Sequence, residues 1–137
     1  MTAPSPEDAG AVARHRIANL LHTYTGLADR KDVDAAVALL GSASVRFPTD
    51  GFDDREAAPA FFARLWGSPV PHRHDVSNLV VEPAETTGDW TATAHYTRWV
   101  FEPDPQVHTL GEYRLTVSGD GWTIRSLTVT RTWARSS

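Results

Sequence analysis

Hydrophobic positions divide this chain into two halves with different periods. Ala13, Ile17, Leu20, Leu21, Tyr24, Leu27 and Ala28 recur at the spacing of one face of an α-helix. Ahead of them, Ser5-Pro6-Glu7-Asp8 is a helix start, with Ser5 as cap, Pro6 at the first helical position and acids in the first turn. A second helix is predicted from Asp32, burying Val33, Ala36, Val37 and Leu40, with Gly41 as its stop. A short strand over 44–48 and a turn at Thr49-Asp50-Gly51 follow. A third helix is predicted over about 54–66, carrying Phe61, Phe62, Leu65 and Trp66, with Pro59 tolerated near its start and Gly67 ending it.

From Pro71 onward the period falls to two. Strands are predicted over about 71–82, 90–101, 107–118 and 122–133, linked by the turn formers Thr86-Thr87-Gly88-Asp89, Glu102-Pro103-Asp104-Pro105 and Ser118-Gly119-Asp120-Gly121. Helices first and strands afterwards imply an α+β fold, three helices packed on one face of a mainly antiparallel sheet. In the second of these strands Trp90, Ala92, Ala94, Tyr96 and Val100 share one face; Thr91, Thr93, His95, Thr97, Trp99 and Phe101 share the other. The last strand, without a bulge, sets Leu127, Val129 and Trp133 opposite Trp122 and Ile124. Both faces are thus partly apolar. One is assigned to the helices and a cavity, the other to a second subunit, so a homodimer through the outer sheet face is expected. Scattered surface hydrophobics are the alternative.

A length of 137 residues fits a single domain, with residues 1–5 as a flexible tail. The net charge of -4 gives no basic footprint, which argues against a nucleic-acid partner. No run approaches the roughly 18 apolar residues of a membrane span. The first eight residues lack the charge and apolar stretch of a signal peptide, so a cytoplasmic location is expected. The absence of cysteine removes disulfides, thiol nucleophiles and thiolate metal sites, leaving histidine, carboxylates and hydroxyls. Phosphate loops, nucleophile elbows and dinucleotide fingerprints are missing, and no cofactor is expected.

His74 is the most informative of the remaining groups. Strand alternation gives it one face with Val76, Asn78 and Val80. An imidazole in that mainly apolar row is either a paired core residue or an acid/base group held in a pocket. Four features then carry a family resemblance. They are Tyr24 followed by Ala28-Asp29 and Asp32, the strand His74-Asp75-Val76-Ser77-Asn78, the strand Gly111-Glu112-Tyr113, and the closing Gly121-Trp122-Thr123-Ile124. Together, from about Glu7 to Trp133, the chain resembles the SnoaL-like branch of the NTF2-like superfamily, which includes polyketide cyclases and scytalone dehydratase-like proteins.

The resemblance implies a curved sheet wrapped round helices to form a cone with an apolar pocket. It implies that Asp29, at the end of the first helix, and Tyr24, one or two turns earlier, lie near that pocket. It matches His74 to the strand histidine that scytalone dehydratase-like members use as acid/base. A carboxylate on one ring nitrogen would fix the tautomer and hold the imidazole basic; the competing reading is a His–Asp bond that only locks helix to sheet. Tyr24 either stabilises an enolate or is a core aromatic. Tyr96, Tyr113 and Asn78 are inward by strand phase, and Asn78 either binds ligand or ties strands together. Phe47, Phe52, Phe61, Phe62, Trp66 and Trp90 are candidates to wall a cavity, with Phe47, Phe62 and Trp66 taken as substrate contacts. His72-Arg73-His74 has chelating spacing but no acidic cluster beside it, so no metal is expected, and His72 is placed at the pocket rim or in solvent. His95 and His108 fall on the outer face, a departure from scytalone dehydratase and its second pocket histidine. The implied function is a cofactor-independent dehydratase, isomerase or cyclase acting on a small hydrophobic carbonyl compound such as a polyketide-like intermediate. A non-catalytic module that binds a hydrophobic ligand is the alternative.

Overall fold

Helix α1 (Pro6–Arg30) begins where its cap is written. In the computed structural model, which describes residues 5–86 and 88–136, the Ser5 hydroxyl accepts from the Asp8 N–H at 3.1 Å. The tail expected over residues 1–5 lies outside the described residues apart from this cap, as does Thr87 of the expected first hairpin turn. Ala13, Ile17, Leu21, Tyr24, Leu27 and Ala28 form the buried stripe. The helix ends on Lys31, left-handed at φ 56°, whose N–H bonds back to Ala28 and Leu27. The Lys31 ammonium reaches the carbonyls of Ser68 and Val70, the latter at 2.7 Å, which fixes the chain entering the sheet beside the end of α1.

Asp32 caps helix α2 (Val33–Leu40) through the Ala35 N–H at 3.1 Å. Gly41 closes this helix in a right-handed conformation, φ -60°. Its reason for being glycine is therefore contact, because a Cβ there would stand 2.5 Å from the Val37 carbonyl oxygen. Strands β1 (Ser44–Arg46) and β2 (Gly51–Phe52) form a small hairpin across the predicted turn. The predicted third helix is split into a 3-10 turn (Arg55–Ala57) and α3 (Ala58–Leu65), with Pro59 in the first turn, where no helical N–H is required of it.

Strands β3 (His72–Pro83), β4 (Asp89–Val100), β5 (Gln106–Ser118) and β6 (Ile124–Ala134) complete a six-stranded sheet ordered β2-β1-β6-β5-β4-β3. All neighbours are antiparallel except β1 and β6. The α+β architecture is the one predicted: three helices lie against an open, curved sheet. Ile17 and Leu21 of α1, Phe61 and Phe62 of α3, and Leu115, Ile124 and Leu127 of the sheet are essentially sealed from water. Each such side chain contributes roughly 1.5–3 kcal/mol relative to exposure. No helix among the described residues is long and apolar enough to cross a membrane.

Bulges correct the face assignments. The β3/β4 register shifts between Ser77 and Val80, where Asn78 adopts φ 57°. One extra residue turns every later side chain to the other face. Leu79 and Val81 therefore pack on the core, while Asn78 and Val80 are exposed, so Asn78 does not join His74 as an inward residue. A second shift between Thr116 and Val117 brings Ile124 onto the same buried face as Leu127 and Val129. A third, between Leu110 and Gly111, turns Trp133 outward beside Leu110, against the expectation that it shares a face with Val129. Leu110 and Trp133 are 40% and 46% exposed, an apolar cross-strand pair on the outer surface.

Candidate functional site

The concave face of the sheet, the end of α1, the loop after β1 and the end of α3 enclose a cavity of about 230 Å³. Pairing sets its sheet wall in rows. His74, Arg98 and Thr109 lie across β3, β4 and β5, and next to them lie Tyr96, Gly111 and Arg131. Tyr113 and Val129 stand in the row behind. Tyr24, Phe47, Leu65 and Trp66 cover the other side.

Gly111 has a specific task in this wall. A Cβ there would lie 2.6 Å from the Tyr96 ring and 2.1 Å from the Thr130 carbonyl oxygen. Without it the Tyr96 ring lies over the strand, stacks on Tyr113 at 4.6 Å between centroids, and donates its hydroxyl to Thr130 at 3.3 Å. Tyr113 in turn meets Tyr24 edge to face at 5.9 Å. Among the described residues the Tyr24 and Tyr113 hydroxyls have no protein partner, yet neither is a sealed orphan, so both open on the cavity. Burial, first of all, pushes the Tyr24 phenol well above its ordinary range, with Tyr96 and Asp29 adding to the effect. Tyr113 is raised for the same leading reason. Both phenols are therefore hydrogen-bond donors at neutral pH, not bases.

His74 and Asp29, 45 residues apart, meet at the end of α1. Asp29 Oδ1 accepts from both the His74 backbone N–H and His74 Nδ1–H, each at 2.8 Å. A carboxylate can only accept here, so Nδ1 carries a proton, and in the neutral imidazole the lone pair is on Nε2. Among the described residues no protein group bonds Nε2. The ring is nearly enclosed, its side chain 9% exposed, and it borders the cavity.

His72 is not at the rim or in solvent. It is 7% exposed and lines the cavity, its ring 4.9 Å from that of His74. Nε2–H donates at 2.6 Å to the Ala28 carbonyl in the last turn of α1, which also accepts from the Lys31 N–H. Nδ1 accepts from Arg98 Nε–H at 3.0 Å. Both nitrogens are thus committed and the ring is neutral; burial lowers its pKa to about 4, the Ala28 bond opposing, with repulsion from a protonated His74 and from the cations Arg98 and Lys31 adding to the fall. A second imidazole does enter the cavity, but as a strut. His108 occupies the bulge between Arg98 and Trp99, where its Nδ1 accepts from Arg98 Nη1–H at 3.0 Å, so it contacts a cavity residue without lining the cavity itself. His95 is exposed on the outer face, 3.6 Å from Glu112.

Of the residues expected at the site, His74, Tyr24, Tyr96, Tyr113, Phe47 and Trp66 line the cavity, and Asp29 holds His74 from behind. Asn78 does not. Phe62 is fully buried and stacks behind Trp66 at 5.0 Å, a support of the wall and not a contact surface; Phe52 and Phe61 sit in the same cluster. Arg98, Arg131 and Thr109, which are not among the residues expected from the sequence, also line the cavity. Their signal was present: Arg98 occupies the one charged position in the row Ala92, Ala94, Tyr96, Val100, and Arg131 follows Leu127 and Val129 in phase. Among the described residues no group of three or more His, Asp or Glu is placed to hold a metal ion.

The same architecture recurs in solved structures at low sequence identity. The β subunit of a candidate aromatic-ring-hydroxylating dioxygenase from Novosphingobium aromaticivorans DSM 12444 superposes with a TM-score of 0.77 at 16% identity, over 93% of this chain and 94% of that one. A candidate scytalone dehydratase from the same organism gives 0.78 at 17% identity, over 96% and 91%. ActVI-ORFA from Streptomyces coelicolor gives 0.74 at 16% identity, over 86% and 96%. A comparison with curated protein sequences finds no match. At such identities the likeness is one of fold, an NTF2-like cone. The sequence itself carries the narrower assignment: residues 11–128, spanning the Tyr24–Asp29 turn of α1 and the His74, Tyr96 and Tyr113 strands, match the SnoaL-like domain, and the chain belongs to that family.

Proposed function

We propose that this protein is a cofactor-independent acid/base enzyme that acts on a small hydrophobic carbonyl compound, such as a polyketide-like intermediate. The observation that carries the reading is the His74 Nδ1–H bond to Asp29 at 2.8 Å, which leaves Nε2 as a free base beside a cavity roofed by phenols. His74 Nε2 takes a proton from the carbon alpha to the carbonyl. The electron pair of that C–H bond becomes an enolate, whose oxygen accepts from the Tyr24 hydroxyl, with Tyr113 beside it. Asp29 offsets the charge the imidazole gains. The imidazolium then returns the proton to a different carbon, giving isomerisation, or delivers it to a leaving hydroxyl, giving dehydration with loss of water. In ring closure the enolate carbon attacks a second carbonyl, and the imidazolium protonates the new alkoxide. Each outcome starts with the same proton transfer.

A test free of the natural substrate is hydrogen exchange alpha to the carbonyl of 2-tetralone in D2O, followed by NMR. The wild-type protein is expected to accelerate exchange, and His74→Ala to lower the rate by roughly 10²–10⁴-fold while keeping the fold. One observation favours a second reading, a binding module without catalysis: Asp29 Oδ1 is shared with the His74 backbone N–H, as in a bond that only pins strand to helix. Ketone binding with no acceleration of exchange would select that reading. A cytoplasmic homodimer joined through the outer sheet face completes the proposal, supported by the exposed Leu110–Trp133 pair.

A further inference from the structure

Two guanidinium groups enter a cavity whose walls are otherwise aromatic and neutral. Arg98 is half-buried; its Nε–H and one Nη1–H are held at 3.0 Å by His72 Nδ1 and His108 Nδ1. Both acceptors are neutral imidazole nitrogens, so they orient the guanidinium without balancing its charge. Arg131 enters from β6, beside Gly111 and across from Tyr96. Among the described residues neither arginine forms an ion pair, whereas Arg46, Arg64, Arg73 and Arg125 each face an aspartate at the surface. The carboxylate of the site, Asp29, is taken by His74. The pKa of Lys31, a further cation, is lowered by burial first and by Arg98 second, with Glu102 opposing.

An oriented, partly desolvated cation without a counter-charge is costly unless something supplies one. Arg98 Nη2 and its remaining Nη1–H have no protein acceptor among the described residues, which leaves an end-on pair of donors matched to a carboxylate. In register, Arg98 is the direct cross-strand neighbour of His74, so an anion held there sits next to the proposed base. The geometry points to a substrate that carries a carboxylate as well as its hydrophobic body and carbonyl: Arg98, with Arg131, binds the carboxylate, and Tyr96, Tyr113 and Val129 take the apolar part. This assignment deepens the proposed function and rests on the same cavity being the substrate site, but it does not depend on proton transfer.

Binding therefore tests it separately from catalysis. Titration calorimetry with 2-naphthoate and with 2-naphthamide, equal in shape and different in charge, reads the carboxylate preference. The wild type is expected to bind the acid at least tenfold more tightly than the amide. Arg98→Gln is expected to reduce that ratio to about two or less with the amide affinity retained, and Arg131→Gln, at a more exposed position, to reduce it about threefold. His74→Gln should keep the preference. Equal binding of acid and amide by the wild type, or a preference that survives both arginine substitutions, overturns the assignment while leaving the exchange test of His74 standing. Loss of exchange activity with the acid preference intact would overturn the catalytic reading alone.

Discussion

Replacing His72 by glutamine should change how the protein's stability responds to acid. The folded protein holds this imidazole neutral, with a pKa of about 4 against an ordinary 6.5, chiefly because the ring is buried between the end of α1 and Arg98. An unfolded chain takes up a proton on it below about pH 6.5, while the folded one refuses until about pH 4. Between those values the unfolded state binds more protons, so the contribution to stability is fully present above pH 6.5 and is lost as pH falls toward 4. About 2.5 pH units at 1.36 kcal/mol each set a ceiling of about 3.4 kcal/mol. The ring also faces the cavity, where water screens it, which brings the expected effect to roughly 1–2 kcal/mol. Glutamine keeps an N–H donor for the Ala28 carbonyl and cannot ionise in this range. Urea unfolding of both proteins from pH 8 to pH 4 is the measurement, and groups with no contact to His72 or Arg98 cancel in the difference. The wild-type advantage should shrink by roughly 1–2 kcal/mol between pH 6.5 and 4. Parallel stability curves, or an NMR midpoint for the His72 ring near neutrality, would refute the neutral-strut assignment.

Two other outcomes follow from packing. Gly111→Ala should lower stability by roughly 1–3 kcal/mol, since the new methyl meets the Thr130 carbonyl at 2.1 Å and the Tyr96 ring at 2.6 Å; thermal unfolding equal to wild type would show that the Tyr96 ring is free to move. If the outer face joins two copies, Leu110→Lys with Trp133→Lys should turn a dimer into a monomer in sedimentation velocity, whereas a monomeric wild type would remove the subunit contact from the proposal.

Much of the site was legible because its parts obey short-range rules. Tyr24 follows from the stripe of one helix and Tyr96 and Tyr113 from undisturbed alternation in β4 and β5, while Asp29 follows only from the family resemblance. The errors cluster at bulges. Counting in twos points Asn78 inward, and its own left-handed backbone is what breaks the count. Trp133 and Ile124 were misplaced by the shifts flanking the ordered middle of β6. Arg98 and Arg131 are hidden for a different reason: a charged residue in an apolar row reads as an exception, until the cavity shows that the row borders an open space and not a closed core.

The sequence alone determined the order of helices and strands, the caps that start α1 and α2, and which family the chain belongs to, because each depends on periodicity, local hydrogen bonding or motif order. Only the tertiary structure decided which way His72 points, that Asp29 serves both the backbone and the ring of His74, and that two arginines stand uncompensated beside them. Those facts depend on where the last turn of α1 lands against β3 and β4, a placement set by the packing of the whole sheet on the helices, which no stretch of neighbouring residues encodes.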